Sequence, residues 1–147
     1  MTESLGAALH GLSRAHRTML ARLLAPHGLH AGQDLLLLAI WETAGLRQSQ
    51  LADQLGVEPP TITRMLQRLE RSGMIERRRD PHDARVVHVH ATPRSRLLES
   101  SVRRAWMAID ERVIAQLGER ESRDLRRLAI AAAAAIVQDD GEEKNEE

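Results

Sequence analysis

Cysteine, phenylalanine and tyrosine are absent from the 147 residues, and Lys144 is the only lysine. The lack of cysteine excludes disulfides, thiolate metal ligation and thiol-based peroxide sensing. With only Trp41 and Trp106 supplying large aromatic bulk, a core must be filled mainly by aliphatic side chains. No apolar run approaches the ~20 residues of a membrane span, and no signal-peptide pattern opens the chain, so a cytoplasmic location is expected. Serine-nucleophile motifs, glycine-rich phosphate loops and carboxylate pairs in a pocket-forming context are also missing. The length suits one domain, without room for a separate catalytic one. The reading is therefore of a non-enzyme with no cofactor.

Charge is present but unevenly placed. Formal net charge is zero, yet residues 139–147 carry six acids and Lys144, whereas the other 138 residues carry 20 arginines against 15 acids. Between Pro59 and Arg96 there are nine arginines and four acids. A basic excess concentrated on one segment suits a polyanionic partner, and double-stranded DNA is the expectation. The acidic stretch 139–147 is expected to be disordered, having too little apolar content to fold. A rival reading has it compete with DNA for the basic surface.

The informative stretch is Leu46 to Arg85, LRQSQLADQLGVEPPTITRMLQRLERSGMIERRRDPHDAR. It predicts two short helices and a tight turn, then a basic hairpin. Leu51, Ala52 and Leu55 face inward on the first helix, Gly56 supplies the left-handed residue that ends it, and Val57 packs under the turn. The second helix, Pro59 to Ser72, opens with Pro59 where a missing N–H costs nothing. At 100° per residue, Ile62, Met65, Leu66 and Leu69 share one sector. Thr63, Arg64, Gln67 and Arg71 lie nearly opposite, flanked by Thr61 and Arg68. Guanidinium and amide groups can read base edges, and hydroxyls can contact phosphates. Met74–Arg79 and Arg85–Ala91 then predict two strands joined through Asp80–Ala84, with Val87, Val89 and Ala91 alternating with His88 and His90. Arg77, Arg78, Arg79 and Arg85 crowd an element too small to bury them. An arginine-bearing helix followed by a basic hairpin is a winged helix–turn–helix.

The stretch TITRMLQRLERSGMIERRRDPHDARVVHVHAT resembles the winged helix–turn–helix of the multiple-antibiotic-resistance regulator (MarR) family. Its most specific part is the wing signature Asp83 and Arg85 ahead of a strand, and the flanking helices also fit the family's layout. Two details depart from it: Ala91, Thr92, Pro93 and Arg94 replace the usual Leu-Thr and nearby Gly, and Arg47 or Gln48 replaces a Thr or Ser cap. The resemblance implies that Arg85 enters the minor groove while Asp83 holds its guanidinium. A plain turn salt bridge is the alternative. The expected DNA-facing residues are Gln48, Ser49, Pro60, Thr61, Thr63, Arg64, Gln67, Arg68, Arg78, Arg79, Asp83 and Arg85.

Around this lobe the periodicity predicts a helix over 3–25, stopped by Pro26 and Gly28, and another from Gln33 to Thr43. A long helix is expected from Pro93 to Leu117, broken by Gly118 before a last helix from Glu119. The fold class expected is mainly α: a winged helix–turn–helix lobe over about 30–92, dimerisation helices over about 3–26 and 94–137, and a two- or three-stranded β wing. These form one domain over 1–138, followed by the tail. The apolar run AIAAAAAIV and the leucine face of the first helix would both be satisfied by a second subunit or by packing on each other. The resemblance implies the former, a homodimer on a pseudo-palindromic operator. It also implies a ligand-responsive regulator, more readily a repressor, with a small-molecule effector that His16, Arg17, Trp41 and Trp106 would line. Core packing is the preferred reading for both tryptophans, because a chain without Phe or Tyr needs their bulk. His88 and His90, two apart on a strand, and His10 and His16 on the first helix lack the spacing of a strong zinc site. No metal is therefore assigned. Two alternatives stand beside this reading: a zinc-responsive regulator of the same fold, and a winged-helix protein-interaction module that does not read DNA.

Overall fold

The computed structural model describes residues 4–30 and 32–142, with side chains described as far as Val137. The chain divides into two compact units, Met1–Trp106 and Met107–Glu147.

In the first unit, α1 (Leu5–Leu24) starts where the Ser4 hydroxyl accepts the Ala7 amide at 3.1 Å. That satisfies one of the four donors a helix start leaves open. One turn of 3-10 helix, Ala25–His27, follows and ends at Gly28, whose φ of 69° is left-handed, as Pro26 and Gly28 predict. Helix α2 (Gln33–Glu42) buries Leu36, Leu37, Ala39, Ile40 and Trp41. Such a helix is covered on more than one side, as its apolar run requires.

Helix α3 (Gln48–Leu55) has Arg47 as its N-cap. The Gln50 carboxamide oxygen accepts the Arg47 amide at 2.9 Å, while a guanidinium has no acceptor to offer in return. The cap is thus half of the reciprocal arrangement that Ser or Thr completes. The helix closes with Gly56 at φ 61° and a bond from Val57 N–H to the Ala52 carbonyl. Helix α4 (Pro59–Arg71) closes in the same manner, with Gly73 at φ 71° and Met74 N–H on the Leu69 carbonyl. Each left-handed glycine lets the chain reverse while the last carbonyls keep a partner.

Three strands form an antiparallel sheet in the order β1 (Leu46–Arg47), β3 (Val87–Ala91), β2 (Ile75–Arg79). Leu46 pairs with Val89 and Arg47 with His88; on the other side Ile75 pairs with Ala91 and Arg79 with Val87. Strand β1 is too short to show a period of two, and only its partner β3 reveals it. Arg85 and Val86 belong to the connection rather than to the strand. The core beneath contains Leu24, Leu36, Leu37, Ile40, Leu51, Ile62, Leu66, Leu69, Ile75 and Val89. Burying each such side chain contributes about 1.5–3 kcal/mol.

The single helix expected from Pro93 to Leu117 is instead two. Helix α5 (Pro93–Arg96) is one turn, and α6 (Glu99–Leu117) starts after a turn at Leu97–Leu98. Three hydrogen bonds mark the break. Thr92 caps α5 by accepting the Ser95 amide at 3.2 Å, Leu98 N–H closes on the Ser95 carbonyl at 2.9 Å, and the buried Ser95 hydroxyl accepts the Trp41 indole N–H at 3.2 Å. Periodicity shows none of these three.

In the second unit Gly118, with φ 84°, separates α6 from α7 (Glu119–Glu142). Helix α7 reaches four residues into the stretch expected to be disordered, each added residue of an existing helix gaining a hydrogen bond without a new nucleus. Residues 143–147 of that stretch lie outside the described residues. Along α7, Leu128, Ile130, Ile136 and Val137 are 54%, 63%, 63% and 71% exposed. No described helix is long and apolar enough to cross a membrane.

Candidate nucleic-acid interface

Helix α4 has the two faces its sequence predicts. Ile62, Leu66 and Leu69 are buried and Met65 half-buried, whereas Pro60, Thr61, Arg64, Gln67, Arg68 and Arg71 are exposed. Thr63 is half-buried and takes part in a small polar chain. Its hydroxyl donates to the Pro59 carbonyl at 2.9 Å and accepts the Gln48 side-chain N–H at 2.8 Å. Gln48 at the start of α3 thereby fixes the first turn of α4, with Ser49 exposed beside it. The Arg64 guanidinium bends back to the Pro60 carbonyl at 3.3 Å, and Arg71 does the same with Gln67. Gln67 and Arg68 present their side chains outward.

The wing arginines separate into distinct environments. None of the four is buried, as expected, but Arg77 is the one drawn partly inward. Its guanidinium meets the Glu70 carboxylate of α4 through Nε at 2.9 Å and Nη2 at 2.6 Å, with the two side chains 24% and 37% exposed. The side-chain hydrogen bonds from Arg77, opposed by burial and helped by its charge and backbone amide, hold the Glu70 carboxyl below its usual range. Arg77 thus ties β2 to the end of α4. A basic run in a strand leaves unresolved which member points at the preceding helix. Arg78 pairs with its neighbour Glu76 at 2.8 Å, both well exposed, and Arg79 reaches the Ala84 carbonyl at 3.4 Å.

At the wing tip, the Asp83 carboxylate accepts the backbone N–H of Arg85 at 2.9 Å. The expected Asp83–guanidinium pair is not formed: among the described residues the two side chains make no ion pair, and Asp83 shapes the turn through main chain. The Arg85 side chain is exposed. Together with Arg47, Gln48, Ser49, Asp53 and Val87 it lines a cleft of ≈ 360 Å³ between the wing and helices α3 and α4. Arg47 was missed as a site residue because it reads as a helix cap, and only the β1–β3 pairing brings it beside the wing.

The residues expected to line an effector site are only partly brought together. Trp106 Nε1 donates to Asp34 Oδ2 at 3.0 Å, and its ring meets His16 edge-on with centroids 5.2 Å apart. Asp34 is fully buried, with its other oxygen accepting the Gly32 amide at 2.9 Å. Trp41 is core: it is buried and bonded to Ser95, so it lines no opening. Arg17 is exposed and contacts Ser13 at 3.4 Å. A groove on α1 lined by Arg14, Ala15, Thr18, Met19 and Arg22 includes none of the four. Among the described residues there is no group of three or more His, Asp or Glu side chains able to hold a metal.

Residues 29–87 match the MarR family. Over 96 residues the chain is 38% identical to the HTH-type transcriptional regulator TtmR of Methylorubrum extorquens (strain PA1), the match covering 65% of this chain and 47% of that protein. The chain thus spans about half the length of that relative. The crystal structure of MarR superposes with a TM-score of 0.77 at 29% identity, covering 95% of both chains. The Staphylococcus aureus MepR–DNA complex superposes with a TM-score of 0.84, covering 90% of this chain and 98% of that one; at 19% identity this is a likeness of fold.

Proposed function

Since the chain belongs to the MarR family of transcriptional regulators, we propose that it binds a pseudo-palindromic DNA operator as a cytoplasmic homodimer and represses transcription until a small organic effector releases it. The observation that carries the reading is the outward face of α4, where Thr61, Arg64, Gln67 and Arg68 stand exposed above a buried apolar face. In this proposal α4 enters the major groove. Arg64, Gln67 and Arg68 read base edges, while Ser49, Thr61 and Gln48 with Thr63 place the helix on the phosphates. Arg85, which pairs with no carboxylate among the described residues, extends from the wing into the adjacent minor groove, with Arg78 and Arg79 beside it on the backbone.

The second subunit covers the apolar stripe of α7 and the exposed Leu5 and Leu12 of α1. A two-fold dimer sets its two reading helices roughly 34 Å apart, one turn of duplex. The effector acts near His16, Asp34 and Trp106, which join α1, α2 and α6, by favouring a spacing of the reading helices that does not suit the operator.

The test is selection of bound duplexes from a random library, followed by titration of variants on the selected operator and on a scrambled duplex. Arg64→Ala is expected to reduce the operator preference by about 1–3 kcal/mol, and Arg68→Ala by less. Arg85→Ala weakens both duplexes alike and lowers the salt slope by about one. Recovery of no inverted repeat, with weak sequence-blind binding throughout, overturns the reading in favour of an interaction module with an acidic protein partner.

A further inference from the structure

We infer that His88 is a positioning residue for DNA binding, acting as an imidazolium that clamps the wing turn to the sheet's far edge; this rests on the wing's part in the proposed function. The two ring nitrogens face different elements. Nδ1 lies 2.8 Å from the carbonyl oxygen of Gly45, in the turn ahead of β1, and Nε2 lies 2.9 Å from Asp80 Oδ2, at the base of the wing turn. A carbonyl and a carboxylate accept but do not donate. A neutral imidazole has only one N–H, so it satisfies one partner and turns a lone pair towards the other. Only the doubly protonated ring makes both bonds.

The carboxylate is held in its accepting role. Asp80 Oδ1 accepts the amides of His82 at 2.8 Å and Asp83 at 3.1 Å, so the group that bonds His88 also folds the turn carrying Asp83 and Arg85. The bonds from His88, and those two amides, hold the Asp80 carboxyl below its usual range. The Gly45 carbonyl first, and Asp80 next, raise the imidazole's affinity for its second proton, against opposition from partial burial and from Arg47. Both side chains are 25% exposed, so the pair is shielded but open to proton exchange.

The surroundings are few. Arg47 of β1 and Arg78 of β2 are the register partners of His88, and Arg78 is paired with Glu76. His90 lies two residues on, with its ring against Gly45. Helices α2 and α3 also pack on β3. Of their acids, Asp34 bonds Gly32 and Trp106, Glu42 faces Arg103 at 3.8 Å, and Asp53 lines the cleft, so none bonds His88.

The sign follows from the raised folded-state value. The clamp is complete below pH about 6.5, the unperturbed histidine value, and is lost as pH rises through the folded pKa. The wing then keeps its strands but loses the tie that aims its turn.

The experiment has two arms on the full chain. Proton NMR titration of the imidazole C–H resonances, with His88 identified by its absence in His88→Gln, is expected to give a midpoint above 6.5; a midpoint at or below it overturns the inference. Affinity for the selected operator, and for a mixed-sequence duplex, is measured at fixed ionic strength on either side of that midpoint. The wild type is expected to lose about fivefold more affinity with rising pH than His88→Gln, while His82→Gln at the wing tip retains the wild-type fall. Asp80→Asn is expected to move the midpoint to lower pH. Equal pH dependence in wild type and His88→Gln overturns the inference alone. Absence of binding to any duplex at every pH overturns the proposed function as well, which the titration arm distinguishes.

Discussion

The lobe from Leu29 to Val89 and the helix α7 use similar aliphatic residues to opposite ends. In the lobe, Leu36, Leu37, Leu51, Ile62, Leu66 and Leu69 reach almost complete burial. On α7, Leu128, Ile130, Ile136 and Val137 remain more than half exposed. The difference teaches that the lobe closes its own core, whereas α7 carries apolar surface that one chain leaves in water. An isolated amphipathic helix gains little until that stripe is covered. On the proposed reading the lobe reads DNA, and α7 brings two readers together.

The sharpest way to break this contrast is within the lobe. Leu66→Ala removes a fully buried side chain beneath the outward face of α4 and is expected to cost about 2–5 kcal/mol, read as a lower denaturant midpoint, with operator affinity falling in parallel. Loss of affinity without loss of stability would mean that Leu66 is not core. The counterpart on α7 is the double change Ile130→Asp with Ile136→Asp. Because both sites are exposed, helix content should be unchanged, while sedimentation shifts from dimer to monomer and operator affinity drops about 100-fold as the two half-sites lose their linkage. A dimer that persists in this variant places the subunit interface elsewhere.

The smallest effect concerns the bond between α4 and the wing. Glu70→Gln leaves Arg77 without its carboxylate, and since Glu70 is 37% exposed, solvent screening limits the loss to about 1 kcal/mol or less. The sign in pH is fixed by the lowered Glu70 value. The wild-type advantage is present above about pH 4.3, the unperturbed glutamate value, and disappears as pH falls through the folded value. Stability curves of the two proteins should therefore converge in acid; a constant gap would assign the loss to packing instead.

Several of these features were legible in the residues alone. The split of α4 into Ile62, Leu66 and Leu69 against Arg64, Gln67 and Arg68 follows from a 100° step, and the stops at Gly28, Gly56 and Gly118 follow from the left-handed backbone that glycine tolerates. Strand β1 escaped because two residues carry no period. The break at Leu97–Leu98 escaped because Ser95 gives no hint in the sequence that it accepts the Trp41 indole 54 positions away.

What the chain determined by itself was therefore everything local or periodic: the helix faces, the turns, the basic segment, and the exclusion of thiol chemistry. Tertiary structure alone decided partners. It paired Arg77 with Glu70, left Arg85 outside any ion pair among the described residues, turned Asp83 towards a main-chain amide, sent Trp41 into the core, and set His88 between Gly45 and Asp80. Like residues in a basic run are equivalent in composition and differ only by what the fold places within hydrogen-bonding reach of each. Hydrogen bonds and ion pairs are short-ranged and directional, so their assignment waits on the folded chain.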